Sequence, residues 1–283
     1  MKIIDPHLHL FDFSQGQYGW LKPECAPFWP DKHVIARNFS TADLTLSPEF
    51  ELAGFVHIEA GFNNEQPWQE LAWLERCVKQ PFRTIGSVDL TASTSKFIEQ
   101  LNQLAQFKSL VGVRHILDQQ ASALLSSPQV ITNLAYITSQ DLIFEAQLDG
   151  SDTLGMAKLL VIAQQFPDLT IIINHAAFTP INLADYQIWQ HNIKALSPAN
   201  NIYIKASGWE MVDRQVENSV VASAITFLLE QFGVERVMLA SNFPLCLFSK
   251  SYQQVWDFYT SLSQSDDITN AITYQNAAII YRF

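Results

Sequence analysis

Eight short runs rich in β-branched and aromatic residues recur along the whole chain, at residues 2–7, 54–59, 82–88, 110–114, 142–147, 170–175, 201–206 and 236–241. Each has the length of a strand and is bounded by turn-forming or polar residues, so each reads as a β-strand. Several carry apolar residues side by side, as in Ile171-Ile172-Ile173, rather than alternating with polar ones. Such a strand is covered on both faces, and a parallel pair of strands needs a crossover of about a dozen or more residues between them. Segments with helical periodicity stand in those places, at residues 65–79, 95–107, 128–139, 153–166, 183–196 and 216–232, with Ser95 placed to cap the second.

Strands alternating with helices define an α/β chain, and about eight of them is the number with which a (β/α)8 TIM barrel closes. The 283 residues suit a single barrel domain over residues 1–283, because that fold takes roughly 250. An open doubly wound sheet is the alternative architecture with the same alternation. Two stretches break the rhythm. Residues 11–48, after the first strand, hold Trp20, Trp29, Pro23, Pro27 and Pro30, and a loop that long reads as a lid over a site. Residues 252–283 read as two amphipathic helices that close the barrel and pack on its outside.

The net charge of -11 disfavours partners that bind through phosphate, so neither nucleic acid nor an anionic membrane is expected, and a small-molecule substrate is. Cys25, Cys77 and Cys246 are odd in number and widely spaced, which suits reduced thiols in a cytoplasmic protein. No run approaches the roughly 20 apolar residues of a membrane span. A homo-oligomer is compatible with all of this.

Barrel enzymes build their sites where the strands end, and polar residues gather at those positions. Strand one ends in His7-Leu8-His9, whose period of two points both imidazoles the same way, as two metal ligands would. Strand two brings His57 and Glu59 at the same spacing, one deeper and one at the mouth; Glu59 is the better ligand, with an ion pair to Arg114 as its plainer role. Strand four ends in Arg114-His115, of which only one can point inward, and Arg114 offers a fork for a carboxylate or carbonyl oxygen. His175 at the end of strand six completes a set of His7, His9, Glu59 and His175 suited to one divalent ion, zinc or manganese, with a position open for water. Each histidine alone has an ordinary reading as a hydrogen-bonded structural residue. Trp20 and Trp209 offer aromatic walls for a substrate ring, and Asn242 in Ser241-Asn242-Phe243-Pro244 can orient water but cannot act as a base.

Taken in order, Asp5-Pro6-His7-Leu8-His9, Tyr18-Gly19-Trp20-Leu21, His57-Ile58-Glu59-Ala60, Gly112-Val113-Arg114-His115, Asn174-His175, Lys205-Ala206-Ser207-Gly208, Ser241-Asn242-Phe243-Pro244 and Asn276-Ala277-Ala278 resemble the metal-dependent-hydrolase group of the amidohydrolase superfamily. The resemblance is to the lactonases that include L-fuconolactonase and 2-pyrone-4,6-dicarboxylate lactonase. It spans nearly the whole chain and implies opening of a sugar-acid lactone or similar cyclic ester, with roles for His7, His9, His175 and the strand-eight residue. In such a site a metal, or Arg114 and a histidine where there is none, polarises the carbonyl while a base activates water. Two residues depart from the pattern: Asn242 stands where the family has Asp, and Asn174-His175 where Asp-His is common. Glu59 then takes over as base, or the chain binds a sugar-acid-like ligand as an impaired relative, or it runs a related decarboxylation. On the hydrolytic reading, Asn242→Asp restores a base beside the water and raises turnover.

Overall fold

In the computed structural model, which describes residues 1–262 and 264–283, the eight expected strands form one parallel sheet in sequential order. They are β1 (Lys2–Leu8), β2 (Glu51–Ile58), β3 (Phe82–Ser87), β4 (Leu110–Ile116), β5 (Ile143–Gln147), β6 (Ile171–Ile173), β7 (Ile202–Ala206) and β8 (Val237–Leu239). Parallel ladders join each strand to the next through β8, with register shifts in the β1–β2 and β3–β4 pairs. The last seam, from β8 back to β1, is different: it has an isolated parallel bridge between Leu8 and Phe243 in place of a ladder. It closes beyond the strand: Asn242 N–H donates to the His7 carbonyl at 2.9 Å and His9 N–H to the Phe243 carbonyl at 2.7 Å. The Asp5 carboxylate reinforces the seam, accepting from Ser241 Oγ at 2.5 Å, Ser241 N–H at 3.1 Å and His7 N–H at 3.2 Å. Burial pushes Asp5 up to about 6 against those three donors.

The crossovers are α1 (Trp68–Cys77), α2 (Thr94–Leu104), α3 (Ala121–Leu124), α4 (Pro128–Ser139), α5 (Thr153–Gln165), α6 (Leu183–Leu196), α7 (Trp209–Val212) and α8 (Asn218–Phe232). The expected helices are all present, shifted by up to three residues at an end. The N-cap position of α2 belongs to Ser93, so Ser95 lies inside the helix. After α9 (Tyr252–Ser261) the chain does not form one further outer helix. It runs through α10 (Asp266–Asn270), a π-helical turn at Ala271–Gln275 and α11 (Asn276–Ile280). This segment sends Ala277 and Tyr281 against Ile4, Val56, Ile58, Ile85, Ile143, Ile172 and Met238, a core separate from the one between sheet and helices. Asn276 Nδ2 pins it by donating to the carbonyls of Val234 at 2.7 Å and Val237 at 2.8 Å. The C-terminus is therefore the floor of the barrel rather than part of its jacket.

The segment between β1 and β2 is a built wall. Phe11 and Phe39 form an antiparallel bridge, three short 3-10 turns lie at Gly19–Leu21, Lys32–Val34 and Thr41–Asp43, and the buried Lys32 ammonium donates to the carbonyls of Lys22 at 3.0 Å and Cys25 at 2.7 Å. Among the described residues no helix is long and apolar enough to cross a membrane, and the three cysteines carry free thiols.

Close approach of β4 and β5 requires a missing side chain. A Cβ added at Gly112 would stand 2.6 Å from the Ile143 carbonyl oxygen and 2.7 Å from Ile143 Cβ, and overpacking of this kind costs about 1–3 kcal/mol. Gly112→Ala is expected to lower the unfolding free energy by that amount, read as a fall in the urea midpoint at unchanged slope; an unaltered midpoint would show that the two strands part without cost.

Candidate active site

The C-terminal ends of the strands open into a cavity of about 980 Å3, and His9, Trp20, Glu59, Arg114, His115, His175 and Asn242 all line it. Seven residues expected from the sequence thus meet in one place. His7 lies just beneath, fully buried, with its ring 4.4 Å from that of His175 and 5.2 Å from that of His9.

Two expected contacts are elsewhere. β2 directs Val56 and Ile58 into the barrel, so the pleat turns His57 outward under α1. There its Nε2 meets Glu70 Oε1 at 3.0 Å, and its Nδ1 accepts from Leu10 N–H at 3.2 Å. Equal spacing misled here because β2 ends at Ile58, and Glu59 leaves the strand before the turn at Gly61 instead of sharing its face with His57. Trp209 packs behind the mouth, with its indole N–H donating to Tyr259 Oη at 2.9 Å. Neither residue touches the cavity.

Arg114 is the centre of the mouth. Its Nε donates to Glu59 Oε1 at 2.8 Å and Nη2 to the Glu59 carbonyl at 2.9 Å, while Nη1 reaches Gln147 Oε1 at 3.2 Å and Asn174 Oδ1 at 3.4 Å. Burial nevertheless pushes the Glu59 carboxyl up. His115, half-buried at the rim, shares a hydrogen bond of 3.0 Å with the Val88 carbonyl through Nδ1.

The histidines are held as neutral imidazoles. Burial first, and the Arg114 charge second, pull His9 and His175 well below their ordinary range. His9 Nδ1 lies 2.8 Å from the Ile58 carbonyl, an acceptor only, so Nδ1 carries the proton and Nε2 keeps its lone pair. His175 Nδ1 meets Ser207 Oγ at 3.1 Å. That imidazole sits at the head of a left-handed turn: His175, Ala176, Ala177 and Phe178 have φ of 54, 50, 52 and 53°. Left-handed backbone costs roughly 1–2 kcal/mol per residue. Trp189 Nε1 donating to the Ala176 carbonyl at 2.7 Å and Gly150 N–H to the Ala177 carbonyl at 2.8 Å hold it in place. Strain of this kind gathers at functional sites. Gly208, at φ 73°, packs so close that a Cβ there would stand 2.6 Å from His175 Nδ1.

Three charged residues that the strand-end reading passed over complete the site. Below the mouth, Lys205 Nζ donates to both Glu145 oxygens at 2.7 Å and lies 3.4 Å from His7 Nδ1. Glu145 also accepts from Asn174 Nδ2 at 2.7 Å and Tyr281 Oη at 2.8 Å. Burial draws Lys205 down to about 8. To one side, Glu210 on α7 accepts from Asn242 Nδ2 at 2.6 Å. A lysine or glutamate inside an otherwise apolar strand, as in Ile143-Phe144-Glu145-Ala146 and Ile202-Tyr203-Ile204-Lys205, is the sequence signal for the first two, since a buried charge needs a partner. Glu210 has none.

Among the described residues no three His, Cys, Asp or Glu side chains form a preformed group that could hold a metal ion, although His7, His9 and His175 lie ring to ring and His7 Nε2 is buried without a partner among those residues. Glu59 is engaged by Arg114, the His7 Nδ1 lone pair faces an ammonium group, and the strand-eight position offers a neutral amide.

The amidohydrolase family matches residues 4–283, and the chain belongs to that family. It is 22% identical to L-rhamnono-gamma-lactonase of Scheffersomyces stipitis over 99% of this chain and 98% of that protein. It is 24% identical to L-fucono-1,5-lactonase of Burkholderia ambifaria over 83% of this chain and 81% of that protein. An amidohydrolase from Burkholderia multivorans crystallised with bound zinc shares the fold, with a TM-score of 0.82 at 18% identity and both chains covered fully.

Melting curves check the metal assignment. An ion at about 1,000 times its Kd adds about 4 kcal/mol to a protein with a site for it, so zinc or manganese in such excess is expected to leave Tm unchanged here. A rise of several degrees would show that His7, His9, Glu59 and His175 regroup around an ion.

Proposed function

We propose that this protein hydrolyses a neutral, hydroxyl-rich sugar lactone without help from a resident metal ion. The observation that carries this reading is the pairing, in one cavity, of a fixed guanidinium with a neutral imidazole whose Nε2 lone pair is free, at Arg114 and His9. The first suits a carbonyl oxygen that gains charge; the second suits a water that must lose a proton. The lactone-cleaving relatives support the same chemistry.

In the reaction, Arg114 Nη1 exchanges its bond to Gln147 Oε1 for one to the lactone carbonyl and stabilises the oxyanion as water adds. His9 Nε2 takes the proton of that water as its oxygen bonds to the carbonyl carbon. The ring C–O bond then breaks, and the His9 imidazolium returns the proton to the departing alkoxide. The product acid ionises at neutral pH and releases one proton per turnover to solvent. His175 and Phe178 bound the same space, and Trp20 and Trp29 offer aromatic faces to the C–H side of a sugar ring.

The charge of the cavity favours a neutral substrate. Arg114 is the one Lys or Arg among the lining residues, it is already paired with Glu59, and Asp118 and Asp149 stand at the rim. A dicarboxylate would enter a negative field with no free cation to meet it. Hydroxyl groups find Asn64, Gln119, Gln120 and Gln147 instead.

A proton-release assay over neutral five- and six-membered sugar lactones, set against 2-pyrone-4,6-dicarboxylate, is expected to show turnover of the neutral compounds only. Arg114→Lys keeps the charge but loses the fork, and should lower kcat/KM by about 10²-fold or more, the usual cost of removing an oxyanion donor. Folded protein that releases no proton from any lactone would overturn the reading.

A further inference from the structure

We propose that Glu210 is the positioning residue of the strand-eight corner: acting through the Asn242 amide, its carboxyl decides whether that corner presents a hydrogen-bond acceptor or a donor to the substrate. The kinetic part of this proposal rests on the lactonase reading, while the structural part does not.

The corner is built for two states. Asn242 is fully buried, and its backbone is fixed in the left-handed region at φ 57° by its N–H on the His7 carbonyl at 2.9 Å and by Cys246 N–H on its own carbonyl at 3.2 Å. Only the side chain can turn. Its Nδ2 donates to Glu210 Oε1 at 2.6 Å, and its Oδ1 is buried with no partner among the described residues although Asn242 lines the cavity. An unsatisfied buried oxygen at the edge of a binding site calls for a ligand donor or a water. Protonation of Glu210 reverses this arrangement: the carboxylic acid donates to Oδ1, the amide turns by half a revolution, and Nδ2 with its two protons faces the cavity.

The surroundings leave the Glu210 proton in play. Among the described residues, no Lys or Arg forms an ion pair with its carboxylate. The charged and titratable groups that face it are Arg214 from beyond α7, Lys250 and Cys246 from the segment before α9, and Tyr259 from α9. Arg214 is already engaged by Asp31 at 2.8 Å and donates to the Glu210 carbonyl rather than to its carboxylate. Burial pushes the Glu210 carboxyl up to about 7. Behind it, a small cavity of about 30 Å3 is lined by Glu210, Ser241, Cys246, Lys250 and Tyr259. That space is enough for one water and a route for the proton.

This arrangement also revises the expectation for Asn242→Asp. A second carboxyl in hydrogen-bond contact with Glu210 shares one proton with it and raises the apparent pKa of the pair, so the variant does not simply regain a base.

The test follows the Asn242 side-chain amide by 15N NMR from about pH 5.5 to 8.5, a range that brackets the Glu210 value, with Asn242→Ser to assign the signal. In the wild type the resonance is expected to move with a midpoint near pH 7, and in Glu210→Gln it should stay flat. In kcat/KM for a lactone, the wild-type limb near that pH, about tenfold per pH unit, should vanish in Glu210→Gln and return, shifted, in Glu210→Asp. A wild-type resonance that does not move overturns the proposal, whether or not Glu210→Gln folds. A moving resonance in a protein that cleaves no lactone sustains it and removes only the lactonase reading.

Discussion

The buried pair of Glu145 and Lys205 is the interaction on which the rest of the site depends. Both side chains are fully excluded from solvent, and removing one partner of such a pair typically costs about 3–5 kcal/mol because the other charge is left bare. The pair is tolerable because its hydrogen-bonding groups are largely met. Glu145 accepts from Lys205, Asn174 and Tyr281, and the ammonium group also faces His7. It therefore joins β1, β5, β6, β7 and the C-terminal floor at one level of the barrel. Everything at the mouth is stacked on it: His7 supports the rings of His9 and His175, and Asn174 passes the order upward to Arg114.

Fold and site were legible to different degrees, for physical reasons. The eight strands and their crossover helices follow from local pattern, since a strand covered on both faces must be written in consecutive apolar residues. The convergence of His9, Glu59, Arg114, His175 and Asn242 followed from one topological rule, that side chains just past the strands face the mouth. What failed was inference that needed the exact last residue of an element. His57 and Glu59 share a spacing but not a face, because the strand stops between them. Trp209 stands after a glycine turn whose direction no pattern encodes. The role of the C-terminal segment as a floor was equally hidden, because Ala277 and Tyr281 meet partners from strands distributed over the whole chain. Glu145 and Lys205 were visible as charges in apolar strands, yet their pairing exists only after the sheet has curled.

Electrostatics gives the cavity its selectivity before any substrate enters. The one guanidinium is held by a carboxylate and two amide oxygens, so it contributes directed N–H groups more than net charge. The nearby imidazoles are neutral because burial and that same guanidinium oppose their protonation. A site with a polarising donor, a neutral base and an acidic rim is matched to a substrate whose charge appears during the reaction rather than before it.

The two departures from the family pattern then have one explanation. At Asn174 and Asn242, where the resemblance led one to expect Asp, each side chain donates through Nδ2 to a buried glutamate, Glu145 at 2.7 Å and Glu210 at 2.6 Å. An aspartate at either position would place two carboxyls within hydrogen-bond distance inside the protein, and one of them would have to hold a proton. The amide avoids that conflict, satisfies the glutamate and turns its own oxygen the other way: toward Arg114 at position 174, and without a partner among the described residues at position 242. Glu145 and Glu210 lie one layer behind Asn174 and Asn242, and they act on the cavity through those amides.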